Sequence, residues 1–87
     1  MDDKFLLDII SPLKLLFSGP VLSVTLAAVT GSMTVLADHA PVIALLDTGD
    51  LSFIDDQETK NLALQGGFMS FSENKMTVLV NPEAQSY

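Results

Sequence analysis

Few residues in this chain carry side chains suited to bond-making chemistry. The single histidine, His39, lies in the stretch Val35-Leu36-Ala37-Asp38-His39-Ala40-Pro41, directly after an aspartate. An imidazole beside a carboxylate is a pairing used for general acid–base catalysis, and either group can ligate a metal. Neighbouring residues on an extended backbone point to opposite faces, so Asp38 is poorly placed to orient the His39 ring. The first reading of the pair is therefore structural, with Asp38 shaping the loop and His39 bonding to backbone. The second is an interface residue that protrudes toward a partner, and the third is a catalytic dyad. Asp47 and Asp50 flank one turn-like stretch, and Asp55, Asp56 and Glu58 crowd another. Aspartate at turns binds nearby backbone N–H groups, and the second group reads as a solvated hairpin tip.

The motifs that build a nucleophile or a phosphate cradle are missing from the sequence: there is no Gly-x-Ser-x-Gly, no P-loop and no Gly-x-Gly-x-x-Gly. Gly66-Gly67 precedes a strand-like run, so no helix N-terminus is offered to an anion; a bulge or a tight crossing between sheets is expected there. With one histidine and no cysteine, a zinc site would have to be mostly carboxylate. The sequence predicts neither metal nor cofactor.

The elements that must position these residues are strands. The chain has 87 residues, enough for one domain, and it has no cysteine to staple it. Hydrophobic residues make up 48% of it, which points to an apolar surface covered by a partner. The net charge of −7 comes from eleven acidic residues against four lysines. Without a basic stripe, nucleic acid is excluded as a partner, and anionic lipid would repel the chain. The longest apolar run, Val42 to Leu46, is far too short to span a bilayer. The start Met1-Asp2-Asp3-Lys4 has neither a signal-peptide nor a transit-peptide character, so any membrane association is expected to be indirect, through a partner.

β-branched and aromatic residues recur in short runs broken by turn signals, which predicts an antiparallel β-sandwich of about nine short strands over residues 1–82. Residues 83–87 read as a tail. Strands are expected at 5–10, 13–17, 21–27, 33–36, 41–46, 51–54, 61–64, 68–71 and 76–80. Turns are expected at Ser18-Gly19-Pro20, at 29–32, at 47–50 and at Ser72-Glu73-Asn74-Lys75. Met33, Met69 and Met76 read as core filler.

Several stretches, in one order, carry a resemblance: LDIISP at 7–12, LFSGPV at 16–21, GSMTVLADHAP at 31–41, LDTGDL at 46–51, LQGGFM at 64–69 and MTVLV at 76–80. Together they resemble the epsilon subunit family of the F-type proton-translocating ATP synthase, called delta in mitochondria. The resemblance implies a ten-stranded β-sandwich at the foot of the central rotor stalk. There it would pack against the gamma subunit, rest on the membrane c-ring, perform no bond chemistry, and couple ring rotation to the stalk. It places the domain peripherally on the cytoplasmic face of a bacterial inner membrane.

Carried over by position, Thr30, Gly31 and Ser32 correspond to the c-ring loop, and Ser11, His39 and Ala44, with Val42 beside them, to the gamma-facing side. Ser18, Gly19, Asp38, Pro41, Gly66 and Gly67 correspond to structural turns. Two departures stand out. The family usually has Pro-Gly-His-Ala-Pro, where this chain has Ala37-Asp38-His39-Ala40-Pro41; aspartate tolerates positive φ better than most residues. The c-ring loop usually carries an acidic residue, where this chain has Ser32, so a hydrogen bond is expected in place of a charge pair. The common family member continues into a C-terminal helical hairpin; the expectation for this chain is a sandwich without that hairpin and without its regulatory function. Two other readings compete: a free-standing β-sandwich ligand- or glycan-binding module, and a small acid–base enzyme using Asp38 and His39. Having five Phe, one Tyr and no Trp, with the Phe residues mostly at strand positions, the chain offers little aromatic platform for a glycan.

Overall fold

The computed structural model describes residues 3–56 and 58–80. The expected domain boundary at 82 and the tail at 83–87 lie outside the described residues. Every regular element among the described residues is a strand: β1 (Phe5–Ile10), β2 (Leu15–Val21), β3 (Ser23–Ala28), β4 (Gly31–Leu36), β5 (Val42–Ile54), β6 (Thr59–Ser72) and β7 (Lys75–Val80). They form one hydrogen-bonded sheet in the order β2-β1-β7-β6-β5-β3-β4. All neighbouring pairs are antiparallel except β1 and β7, which run parallel.

The all-β class stands, but the described residues form seven strands, fewer than expected. The expected segments 41–46 and 51–54 are one strand, β5, and 61–64 and 68–71 are another, β6. The two pair in a single register from Val42↔Phe71 to Ile54↔Thr59. Near its midpoint this long ribbon folds over. Residues 67–72 of β6 pair with β7, while β3 joins the far half of β5 at Val24↔Phe53 and Thr25↔Ser52. Two layers result, and the rings of Phe17 (β2) and Phe53 (β5) meet across the gap with centroids 4.4 Å apart. The nine expected segments are thus layer segments, joined by two strands that pass through both layers.

Residues 47–50, expected to be a turn, lie within β5. Between Ala28↔Leu46 and Thr25↔Ser52 the chain takes six steps along β5 (46 to 52) against three along β3 (25 to 28). There β5 leaves β3 but stays on β6. The core-facing positions change parity across the fold, from Leu46 to Leu51 and Phe53 in β5, and from Leu62 and Leu64 to Met69 and Phe71 in β6. A parity switch needs residues outside the ordinary pleat. In β6 these are Gly66, at φ 102°, and Gly67, at φ 147°. The pair does not end a strand; it carries β6 from one layer into the other, the tight crossing that the glycines suggested. A Cβ on Gly67 would overlap the Leu79 carbonyl oxygen, so only glycine lets β6 approach β7 this closely.

Ser18 and Gly19, also expected as a turn, lie inside β2 and face Asp8 and Leu7 of β1. Pro20 is tolerated because β2 is a sheet edge, where a missing N–H costs no ladder bond. The turns expected at 29–32 and 72–75 are tighter than that: Val29-Thr30 closes β3–β4, with residues 31–32 already in β4, and Glu73-Asn74, both at positive φ, closes β6–β7, with Ser72 in β6 and Lys75 in β7. Met69 and Met76 are fully buried, and Met33 packs on the core from its edge.

Candidate docking surface

The loop around His39 is built by a clasp. Asp38 takes φ 66°, the left-handed region that glycine would occupy more easily. Its backbone N–H donates to Asn74 Oδ1 at 2.6 Å, and Asn74 Nδ2 donates back to Asp38 Oδ1 at 2.9 Å. The Asn74 carbonyl accepts the N–H of Leu6 at 3.0 Å. One asparagine therefore ties the 37–41 loop, the β6–β7 turn and the start of β1. Asp38 is occupied by Asn74 and not by His39, whose Nδ1 lies 2.6 Å from the Ala40 carbonyl oxygen. The exposed imidazole rests edge-on against Phe71, with centroids 5.9 Å apart. This is the structural reading of the pair, with Pro41 leading from the loop into β5. Asn74 was not singled out in the sequence; its only signal was an amide at the tip of a tight hairpin.

The residues expected to share a partner surface are separated. Ser11 is buried. Its hydroxyl donates to the Lys14 carbonyl at 3.2 Å and accepts the N–H groups of Leu13 and Lys14. It closes the β1–β2 turn and presents nothing outward. Ser11 follows Ile10, which pairs with Leu79 near the end of β7, whereas His39 and Asp38 sit at Phe71 and Asn74, by the start of β7. The six residues of β7 hold them apart by about 17 Å. Val42 and Ala44 are half-buried and pack against the core; strand alternation turns Ile43 and Leu45 outward instead, 69% and 60% exposed. The sequence alone does not show which of these residues face outward, because Val42 to Leu46 is apolar on both faces and gives no alternation to read. Thr30, Gly31 and Ser32 are exposed at the β3–β4 tip, which the Val29 N–H fastens to the Leu45 carbonyl at 3.0 Å.

The outward parity of β5 begins a continuous apolar row. Leu45 faces Phe68, Phe68 faces Leu79, Leu79 faces Ile10, and Ile10 faces Leu15. Five strands contribute one residue each. Leu15, Leu45, Phe68 and Leu79 are exposed, and Ile10 is half-buried. The next row across the same face is polar over four of its strands, Ser70, Thr77, Asp8 and Ser18, with Ser18 Oγ donating to Asp8 at 2.6 Å and Lys75 Nζ 3.9 Å from the same carboxylate. An apolar stripe beside a polar rim is the anatomy of a protein interface.

The small all-β domain thus carries one exposed apolar row with a polar row beside it. The family model described as ATP synthase, Delta/Epsilon chain, beta-sandwich domain matches residues 4–84, and the chain belongs to that family. It is 34% identical over 80 residues to the chloroplastic ATP synthase epsilon chain of Psilotum nudum, covering 92% of this chain and 60% of that one. It is 37% identical over 73 residues to the ATP synthase epsilon chain of Thermosynechococcus vestitus, covering 84% and 53%. The chain thus spans little more than half the length of these relatives. Against the epsilon chain of Chlorobium limicola it is 37% identical over 79 residues, and the match covers 90% of both chains. The fold also matches a chain in the mitochondrial ATP synthase of Euglena gracilis, with TM-score 0.83 at 20% identity, over 88% of this chain and 50% of that one. A chain in the central stalk and c-ring structure of the Tetrahymena thermophila mitochondrial enzyme matches with TM-score 0.77 at 16% identity, over 92% and 65%.

Proposed function

We propose that this chain is a non-catalytic subunit of the rotor of a proton-translocating F-type ATP synthase, set at the foot of the central stalk between the gamma subunit and the membrane c-ring. Its work is mechanical. A two-layer sandwich packed at crystal-like density transmits torque without shearing. The observation that carries this reading is the row Leu45–Phe68–Leu79–Ile10–Leu15, which offers gamma a ready apolar face. The gamma contact is assigned to this row and to Ile43 beside it, with His39 at the end of the sandwich against Phe71; Ser11, Val42 and Ala44 support it from inside. The exposed tip Thr30-Gly31-Ser32 is assigned to the c-ring loops, with the Ser32 hydroxyl available for a hydrogen bond. In a bacterium this places the chain on the cytoplasmic face of the inner membrane, held there through the complex.

The test is co-purification with gamma. Leu45→Lys with Leu79→Lys changes two exposed side chains in the row and leaves the core intact, so the doubly substituted chain stays folded and loses gamma. Retention of gamma by that folded variant would remove the row from the interface. Loss of gamma on Ser11→Ala in a folded chain would return the contact to the β1–β2 turn.

A further inference from the structure

We infer that the free edge of β4 pairs with the same edge of a second copy of this chain, forming an antiparallel dimer whose twofold axis passes through Thr34. Among the described residues β4 is the last strand of the sheet and pairs only with β3, in an unbroken register from Ala28↔Gly31 to Ser23↔Leu36. The two-residue loop Val29-Thr30 makes Ala28 and Gly31 a hydrogen-bonded pair. Alternation then turns the backbone groups of Gly31, Met33 and Val35 toward β3. The N–H and C=O groups of Ser32, Thr34 and Leu36 point away from the sheet. The 3.0 Å approach of the Thr25 and Thr34 hydroxyls fits this phase, since facing side chains come closer at non-hydrogen-bonded pairs.

The two sheet edges are protected unequally. β2 carries Pro20 and a register shift opposite Ile9 and Ile10, devices that blunt an edge. β4 has neither, and Gly31–Leu36 contains no charged residue and no proline. Its free groups are also self-complementary. Pairing about Thr34 sets Thr34 against its own copy and Ser32 against Leu36 of the other copy, so every outward N–H meets an outward C=O. The Leu36 carbonyl already accepts the His39 N–H at 3.2 Å and has a second lone pair to offer. On the inner face Met33, half-buried at the sheet edge, gains Val35 of the second copy as its cross-strand neighbour. The chain charge of −7 opposes association, so the dimer tightens as salt screens it. Pairing also engages Ser32. On the rotor reading above, and resting on it, the dimer is a state of the unassembled chain that must part before Ser32 meets the c-ring.

The experiment is sedimentation of the 87-residue chain across dilution at low and high salt, with amide hydrogen exchange read residue by residue. The expected result is a dimer, stronger at high salt, in which the Ser32, Thr34 and Leu36 amides gain protection as concentration rises. Thr34→Lys, which sets two ammonium groups face to face at the axis, weakens association by about tenfold or more and leaves the melting transition in place. A chain that stays monomeric at all concentrations overturns the inference. So does a dimer whose Ser32, Thr34 and Leu36 amides exchange freely. Should Thr34→Lys fail to fold, the exchange pattern of the unsubstituted chain decides alone. Gamma co-purification is a separate readout, so failure of the dimer leaves the rotor reading untouched.

Discussion

Replacing Gly67 by alanine tests the idea that β6 crosses between layers by a backbone approach only glycine permits. Two costs combine. At φ 147° a Cβ is strained, by about 1–3 kcal/mol. The new methyl would also overlap the Leu79 carbonyl oxygen and lie within 3.2 Å of Val80 Cα and 3.3 Å of the Leu79 carbonyl carbon. Those are backbone atoms of β7 paired at Gly67↔Val80 and Phe68↔Leu79, so relief requires opening ladder bonds, at about 0.5–1.5 kcal/mol each. With two such bonds the total is about 2–6 kcal/mol, centred near 4. A domain of this size has about 5–10 kcal/mol of stability, so the variant melts roughly 15–30 °C lower. Gly31→Ala is the control: φ is also positive, at 131°, but nothing lies within 4 Å of a Cβ there, so only the strain applies. The assay is thermal and urea unfolding followed by far-UV circular dichroism. If Gly67→Ala costs no more than Gly31→Ala, close approach to β7 is not what demands glycine, and the crossing has been misread.

Asn74→Ala removes both arms of the Asp38 clasp and the closing residue of a tight turn; it is expected to cost about 1–3 kcal/mol, seen as a lower urea midpoint, with the His39 resonances shifted by NMR. Asp38→Gly relieves positive φ but loses the accepting carboxylate, so its net change stays within about 1 kcal/mol in the same titration. Ser11→Ala leaves the N–H groups of Leu13 and Lys14 without their acceptor and lowers stability by about 1–2 kcal/mol, with gamma binding in a pull-down unchanged. Met76→Ala empties a fully buried position in β7 and costs about 2–5 kcal/mol by the same measurement.

What could be read in the sequence was local or compositional. Turn chemistry at 29–30 and 73–74, the acidic tip between β5 and β6, and aspartate at a positive φ all depend on a few adjacent residues, and each is found where the residues point. The order of short motifs was enough to expose the family. Tertiary structure decided the rest. The apolar stretch 42–46 has no alternation, so only packing could show that Ile43 and Leu45 face outward while Val42 and Ala44 face the core. Ser18-Gly19-Pro20 and residues 47–50 have turn composition, yet the first is admitted by an unpaired sheet edge and the second by a strand that bends between layers. Both conditions are set by distant strands. The row from Leu45 to Leu15 joins residues scattered over the length of the chain, and the clasp of Asp38 by Asn74 spans 36 positions. Strand register is settled by turn geometry and by which faces become buried together, and a stretch without alternation, such as 42–46, does not encode the second.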